Sequence, residues 1–203
     1  MRTLLAMMVA LALCAFPRLA DAQTPGSWFV EVSVAHVYGL EGLHFDVRHL
    51  AGSGVAWNTT VGRRTLPWLA ITGDVGVLHV DELLVGSFIP EDSWTVDDAT
   101  HATLMMGVRL ESAGDSGLAP SLEFETGLGW LRWGDRHVTS TFGGGNRTFA
   151  GDHDVAWGWS AGLRLRFATR RRLLIPQAIG RVVVFYERGD SVLMTTLGFG
   201  LRY

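Results

Sequence analysis

Apolar and polar residues alternate with a period of two along most of the chain after residue 22, and the alternation falls into eight segments. In the last, Ser191 to Tyr203, residues Leu193, Thr195, Leu197, Phe199, Leu201 and Tyr203 share one parity. Met194, Thr196, Gly198, Gly200 and Arg202 share the other. Successive side chains of a strand point to opposite faces, so this segment presents one apolar face and one small or polar face. The first segment, Trp28 to Tyr38, sets Trp28, Val30, Val32 and Val34 against Glu31, Ser33 and Ala35. Val55 to Gly62, Trp68 to Val80, Thr100 to Glu111, Ser121 to Trp133, Val155 to Phe167 and Leu174 to Tyr186 repeat the theme.

The connections predict how these strands are arranged. Residues 62–67, 112–120 and 168–173 are short turns rich in turn formers or Arg, whereas 39–54, 81–99 and 134–154 are long. Arg63, Arg64, Arg170, Arg171 and Arg172 sit on the short side, while Asp81, Glu82, Glu91, Asp92, Asp97 and Asp98 load one long loop. Aromatic residues gather near both ends of the segments, with Trp28, Trp68, Phe167 and Tyr203 at one end. Tyr38, Trp57, Trp130, Trp133, Trp157 and Tyr186 mark the other. The predicted fold is an all-β, eight-stranded antiparallel up-and-down transmembrane barrel, with short periplasmic turns, longer extracellular loops and aromatic girdles at both interfaces.

The start of the chain points the same way. Met1 and Arg2, the apolar run Leu4 to Phe16 and the Ala20-Asp21-Ala22 site predict a cleaved signal peptide over residues 1–22, leaving one domain over 23–203. A bulky Leu13 before Cys14 disfavours a lipoprotein signal. Cleavage would also remove Cys14, the only cysteine, so disulfides, Cys-based zinc sites and a cysteine nucleophile are excluded from the predicted mature chain. No later stretch has the ~18 uninterrupted apolar residues of a membrane helix. Net charge is −3, which offers no basic surface for nucleic acid.

With this signal segment, these strands and this loop asymmetry, the chain resembles the superfamily of small eight-stranded outer-membrane β-barrels, including the OmpA transmembrane domain, the OmpX and Ail group and the OmpW family. The terminal Phe199, Leu201 and Tyr203 resemble the signal read by the barrel-assembly machinery, with Tyr in place of the usual Phe. The resemblance implies residence in the bacterial outer membrane, contact with its lipid and lipopolysaccharide, and insertion by that machinery.

A barrel of eight strands holds little beyond its own side chains. The inward parity places Glu31, Asp74, Arg109, Glu123, Glu125, Arg164, Arg166, Arg181 and Arg202 in that space. Unpaired charges there would be costly, so these residues are expected to form an Arg and carboxylate network that plugs the lumen, with Arg202 meeting Glu31 at the closing seam. Small inward residues such as Gly129 and Gly158 are expected to leave room above it.

The function expected is therefore structural or surface-interacting, with loops 39–54, 81–99 and 134–154 available to an extracellular ligand. The alternative is a narrow channel for small or hydrophobic solutes, as the OmpW resemblance implies. A lipid A-modifying enzyme is a further alternative, since His36, His79, His101 and His137 fall near the outer rim, with Asp135 and Ser140 beside His137. The spacing of His137 and Ser140 departs from the His-x-Ser of outer-membrane deacylases, so no catalytic residue and no cofactor are assigned. Asp152, His153 and Asp154 are weak candidates for a cation.

Overall fold

The computed structural model describes residues 25–42, 47–87, 92–112, 117–140, 145–168, 174–187 and 190–203. The predicted signal segment and the Arg170-Arg171-Arg172 turn lie outside the described residues. The strands are β1 (Trp28–Gly42), β2 (Val47–Leu66), β3 (Leu69–Ser87), β4 (Asp92–Val96), β5 (Ala99–Glu111), β6 (Gly117–Trp133), β7 (Arg136–Ser140), β8 (Gly145–Phe149), β9 (Asp152–Ala168), β10 (Ile175–Glu187) and β11 (Asp190–Arg202). They form one antiparallel sheet. Eight long strands, β1, β2, β3, β5, β6, β9, β10 and β11, follow one another around the wall, and β11 pairs back onto β1 to close it. Each matches one of the eight period-2 segments, with Trp68, Leu174 and Tyr203 falling one residue outside their strands.

Closure satisfies the backbone of every wall strand without an exposed edge. The side chains are distributed inside out relative to a water-soluble domain. Val32 is 51% exposed, Leu104 60% and Phe199 72%, whereas the largest fully buried side chains include Arg109, Arg164, Arg166 and Arg202. Outward apolar rows of this kind suit hydrocarbon, and the polar face turns into the lumen. Val184 is an exception on the outward parity. It is 2% exposed, flanked by its cross-strand partners Trp159 and Leu193.

The connections differ from the expectation in two ways. At the turn end, β2 runs on through Arg63 and Arg64, and only Pro67 and Trp68 form the turn between the paired Leu66 and Leu69. Pro120 lies within β6 rather than before it; it sits near the strand's start, and its carbonyl accepts from the Ser112 amide at 3.0 Å.

At the other end, the long loops are largely strand. Beyond the last β3 to β5 pair, Val80 with Ala99, β3 continues and takes β4 as its partner, then β7 pairs with β4 and β8 with β7. The extended edge of β3 carries backbone donors and acceptors that need partners, and these short strands supply them. The result is a sheet of β2, β3, β4, β7 and β8 continuing beyond the barrel wall, with β8 as its last strand.

Candidate functional site: a filled lumen

The barrel register sets the charged residues on adjacent strands at neighbouring heights. Arg109 lies opposite Glu123, Glu125 opposite Ser160, and Glu123 opposite Gly162, so guanidinium groups alternate with carboxylates or small residues around the wall. Their side chains meet in the lumen in three groups.

The central group is a closed ring. Arg109 donates through Nη1 to Glu31 Oε1 at 2.6 Å and through Nη2 to Glu123 Oε1 at 2.7 Å. Arg164 donates through Nε to Glu123 Oε2 at 2.8 Å, and its Nη1 lies 3.1 Å from Glu31 Oε2. Each carboxylate thus gives one oxygen to each arginine. Three of these contacts are short charge-assisted hydrogen bonds, the fourth, Arg164 to Glu31, is an ion pair without hydrogen-bond geometry, and all four members are essentially inaccessible to water.

Nearer the loop end, Arg181 bridges Asp74 at 2.9 Å and Glu125. The two carboxylates have further donors, with Thr60 Oγ1 on Asp74 at 2.8 Å and Ser160 Oγ on Glu125 at 3.1 Å.

Nearer the turn end, Arg202 contacts Glu111 at 2.5 Å, and Arg64 reaches the same carboxylate at 2.9 Å. Arg202 and Glu31 are register partners across the seam, as expected, but their charged groups are 3.6 Å apart and the shorter contact is to Glu111 across the lumen. Phe29 underlies this group, its ring centroid 3.8 Å from the Arg202 guanidinium carbon, 5.0 Å from that of Arg109 and 5.7 Å from that of Arg64. Cations over an aromatic face gain most when both are dry.

Arg166 is the exception among the predicted residues. Its Nη2 donates to the Ser112 carbonyl at 3.2 Å, and no described carboxylate forms an ion pair with it.

Glu111, Arg64 and Phe29 were not among the predicted lumen residues. Parity would have found all three, because Glu111 continues the row of Arg109, Arg64 that of Thr60 and Gly62, and Phe29 that of Glu31. Arg64 was expected in a periplasmic turn, and its entry into the lumen follows from β2 continuing past it.

Above the charges, the expected room is filled. Phe185, fully buried, lies against Gly129 and Gly158, where a Cβ at either position would fall inside the ring's van der Waals envelope. Met105, Leu131, Val183, Met194 and Ala156 complete an apolar core. His101 is buried beside it, its ring edge-on to Trp133 at 5.1 Å. Both therefore belong to the interior, not to the outer rim or the outward girdle. Only a small recess of about 30 Å³, lined by Ala56, Leu78, Val183, Phe185 and Met194 and reaching Arg181, is left open there.

The outer surface carries one further arrangement. His79, Thr100, Arg132 and His153 are successive register partners across β3, β5, β6 and β9 on the outward parity. One step toward the barrel centre, Val77, Ala102, Trp130 and Val155 form the next outward row. Trp157 stacks on Tyr186 at 5.8 Å, and Trp159 Nε1 donates to the Tyr186 hydroxyl at 3.0 Å.

His137, central to the enzyme alternative, takes other partners among the described residues. His137 contacts Thr148 at 3.1 Å through Nδ1 and Asp97 at 2.9 Å through Nε2. Asp135 accepts from the Gly151 amide at 2.8 Å. Asp152 and Asp154 each accept from the next residue's amide, and among the described residues no cluster of three or more His, Cys, Asp or Glu is arranged to hold a metal ion.

A closed eight-stranded up-and-down barrel with an apolar exterior and a charged interior is the fold of the small outer-membrane barrels. Solved structures that share it include the following three. Ail, the attachment invasion locus protein of Yersinia pestis, in complex with the heparin analogue sucrose octasulfate, matches with a TM-score of 0.54 at 13% identity over 89% of this chain and 100% of its own. Neisserial surface protein A matches with a TM-score of 0.54 at 14% identity over 88% and 98%. OprG from Pseudomonas aeruginosa matches with a TM-score of 0.52 at 9% identity over 90% and 98%. No protein-family model matches the sequence, and no curated protein is detectably similar to it.

Proposed function

We propose that this chain is a bacterial outer-membrane barrel that does not conduct, and that it works through its outer surfaces as a structural or surface-interaction protein. The observation that carries this reading is the doubly filled lumen, with ion pairs over Phe29 at the turn end and the Phe185 core at the loop end. Purified barrel in planar bilayers is expected to give no steady conductance. A steady current that changes on Glu125→Ala would overturn the proposal, because that variant removes the carboxylate between Arg181 and the wall. The recess above Arg181 favours one competing reading, a narrow path for small or hydrophobic solutes, and uptake of such a labelled solute into barrel-containing liposomes no faster than into empty ones decides against it.

Two surfaces are available for interaction. The sheet that ends on β8 serves an extracellular ligand, and the outward row of His79, Arg132 and His153 serves the phosphate of an outer-leaflet lipid such as lipopolysaccharide. The apolar row beneath it accommodates the acyl chains. Arg132→Ala is expected to lower several-fold the amount of bisphosphorylated lipid A retained by detergent-extracted barrel, read by native mass spectrometry. Unchanged retention removes this contact from the reading.

A further inference from the structure

We propose that Arg166, Gln177 and Ser121 form a binding site for a small monovalent anion, chloride by size, in the turn end of the lumen. The inference stands apart from the conductance reading and survives or fails without it.

Three adjacent strands place these residues together. Gln177 of β10 is the register partner of Arg166 of β9, and Ser121 of β6 lies one inward position from Ala119, the partner of Arg166 on its other side. All three point inward and are buried, at 1% exposure for Arg166 and Gln177 and 3% for Ser121. Among the described residues, Arg166 Nε, both side-chain amide atoms of Gln177 and Ser121 Oγ have no hydrogen-bond partner. Buried polar groups are almost always paired, so three donors and one acceptor left unpaired on neighbouring side chains mark a position where something other than protein is bound.

Charge selects what it is. The other inward arginines, Arg64, Arg109, Arg164, Arg181 and Arg202, each form an ion pair with a described carboxylate. Arg166 meets only a backbone carbonyl, so the surplus positive charge of the described lumen falls on it. A guanidinium in so dry a place requires a counter-charge. The Nε–H of Arg166, the amide NH₂ of Gln177 and the hydroxyl of Ser121 are all donors, the set an anion needs, and the depth of burial excludes large anions.

Unfolding rates of the reconstituted barrel in sodium chloride or bromide, against sodium gluconate at equal ionic strength, test the site. Halide is expected to slow unfolding at least threefold and saturably. Arg166→Gln is expected to abolish the difference, while Arg63→Gln, outward at the barrel rim, retains it. If Arg166→Gln does not fold, Gln177→Leu is expected to weaken the halide midpoint at least fivefold. Crystals soaked in bromide are expected to show an anomalous peak within hydrogen-bond reach of Arg166 Nε. Equal rates in halide and gluconate overturn the proposal, as does a halide effect that persists in Arg166→Gln, or in Gln177→Leu where that variant stands in for it.

Discussion

Glu123→Gln is expected to lower the stability of the barrel by about 3–5 kcal/mol, the usual cost of removing one partner from a buried ion pair. Glu123 gives one oxygen to Arg109 and the other to Arg164, so the substitution leaves two guanidinium groups sharing Glu31 alone. An amide can accept one of those hydrogen bonds, but it cannot neutralise either charge. Equilibrium unfolding in urea from lipid vesicles measures the effect directly. Arg109→Gln in the Glu123→Gln background should then cost less than it does alone, because the second substitution removes a charge that the first has left uncompensated. Additive costs, or a loss under about 1 kcal/mol for Glu123→Gln, would show that the ring does not hold the wall together.

Parity explains why the wall strands were legible in the sequence. A barrel strand between lipid and a polar lumen must alternate, and Ser121 to Trp133 or Val155 to Phe167 do so with few breaks. Parity assigns a face and says nothing of height or reach. An arginine side chain spans much of an eight-stranded lumen, so its partner depends on strand tilt and stagger, which the residue pattern does not encode. Arg202 illustrates this, since it meets Glu111 from β5 more closely than its own register partner Glu31.

The loop strands were hidden for a different reason. Around the β7 and β8 hairpin, Asn146, Arg147, Thr148 and Phe149 are all exposed, so no amphipathic period appears and the segment reads as loop. Its strand character comes from pairing with β7, which is a tertiary fact. Gly129 and Gly158 misled by their size, because the space they leave belongs to a phenylalanine on the next strand or beyond rather than to a solute.

That same phenylalanine gives the second large effect. Phe185→Ala is expected to cost about 3–5 kcal/mol, as deletion of a buried aromatic ring usually does, because the wall around it is held by backbone pairing and has little freedom to collapse. Refilling the space from the opposite side should reverse part of the loss. A side chain at position 129 would meet the Phe185 ring and no other atom so closely, whereas one at position 158 would also meet the Val184 carbonyl. Gly129→Val is therefore expected to destabilise the native barrel by about 1–3 kcal/mol through overpacking, and to stabilise the Phe185→Ala barrel instead. Urea unfolding of the four proteins in the cycle gives both signs. Conductance should remain absent in Phe185→Ala, since the Arg181 bridge to Asp74 and Glu125 still closes the lumen beneath the cavity. A steady current from that variant alone would place the whole barrier in the apolar core and leave the ion pairs with a purely structural role.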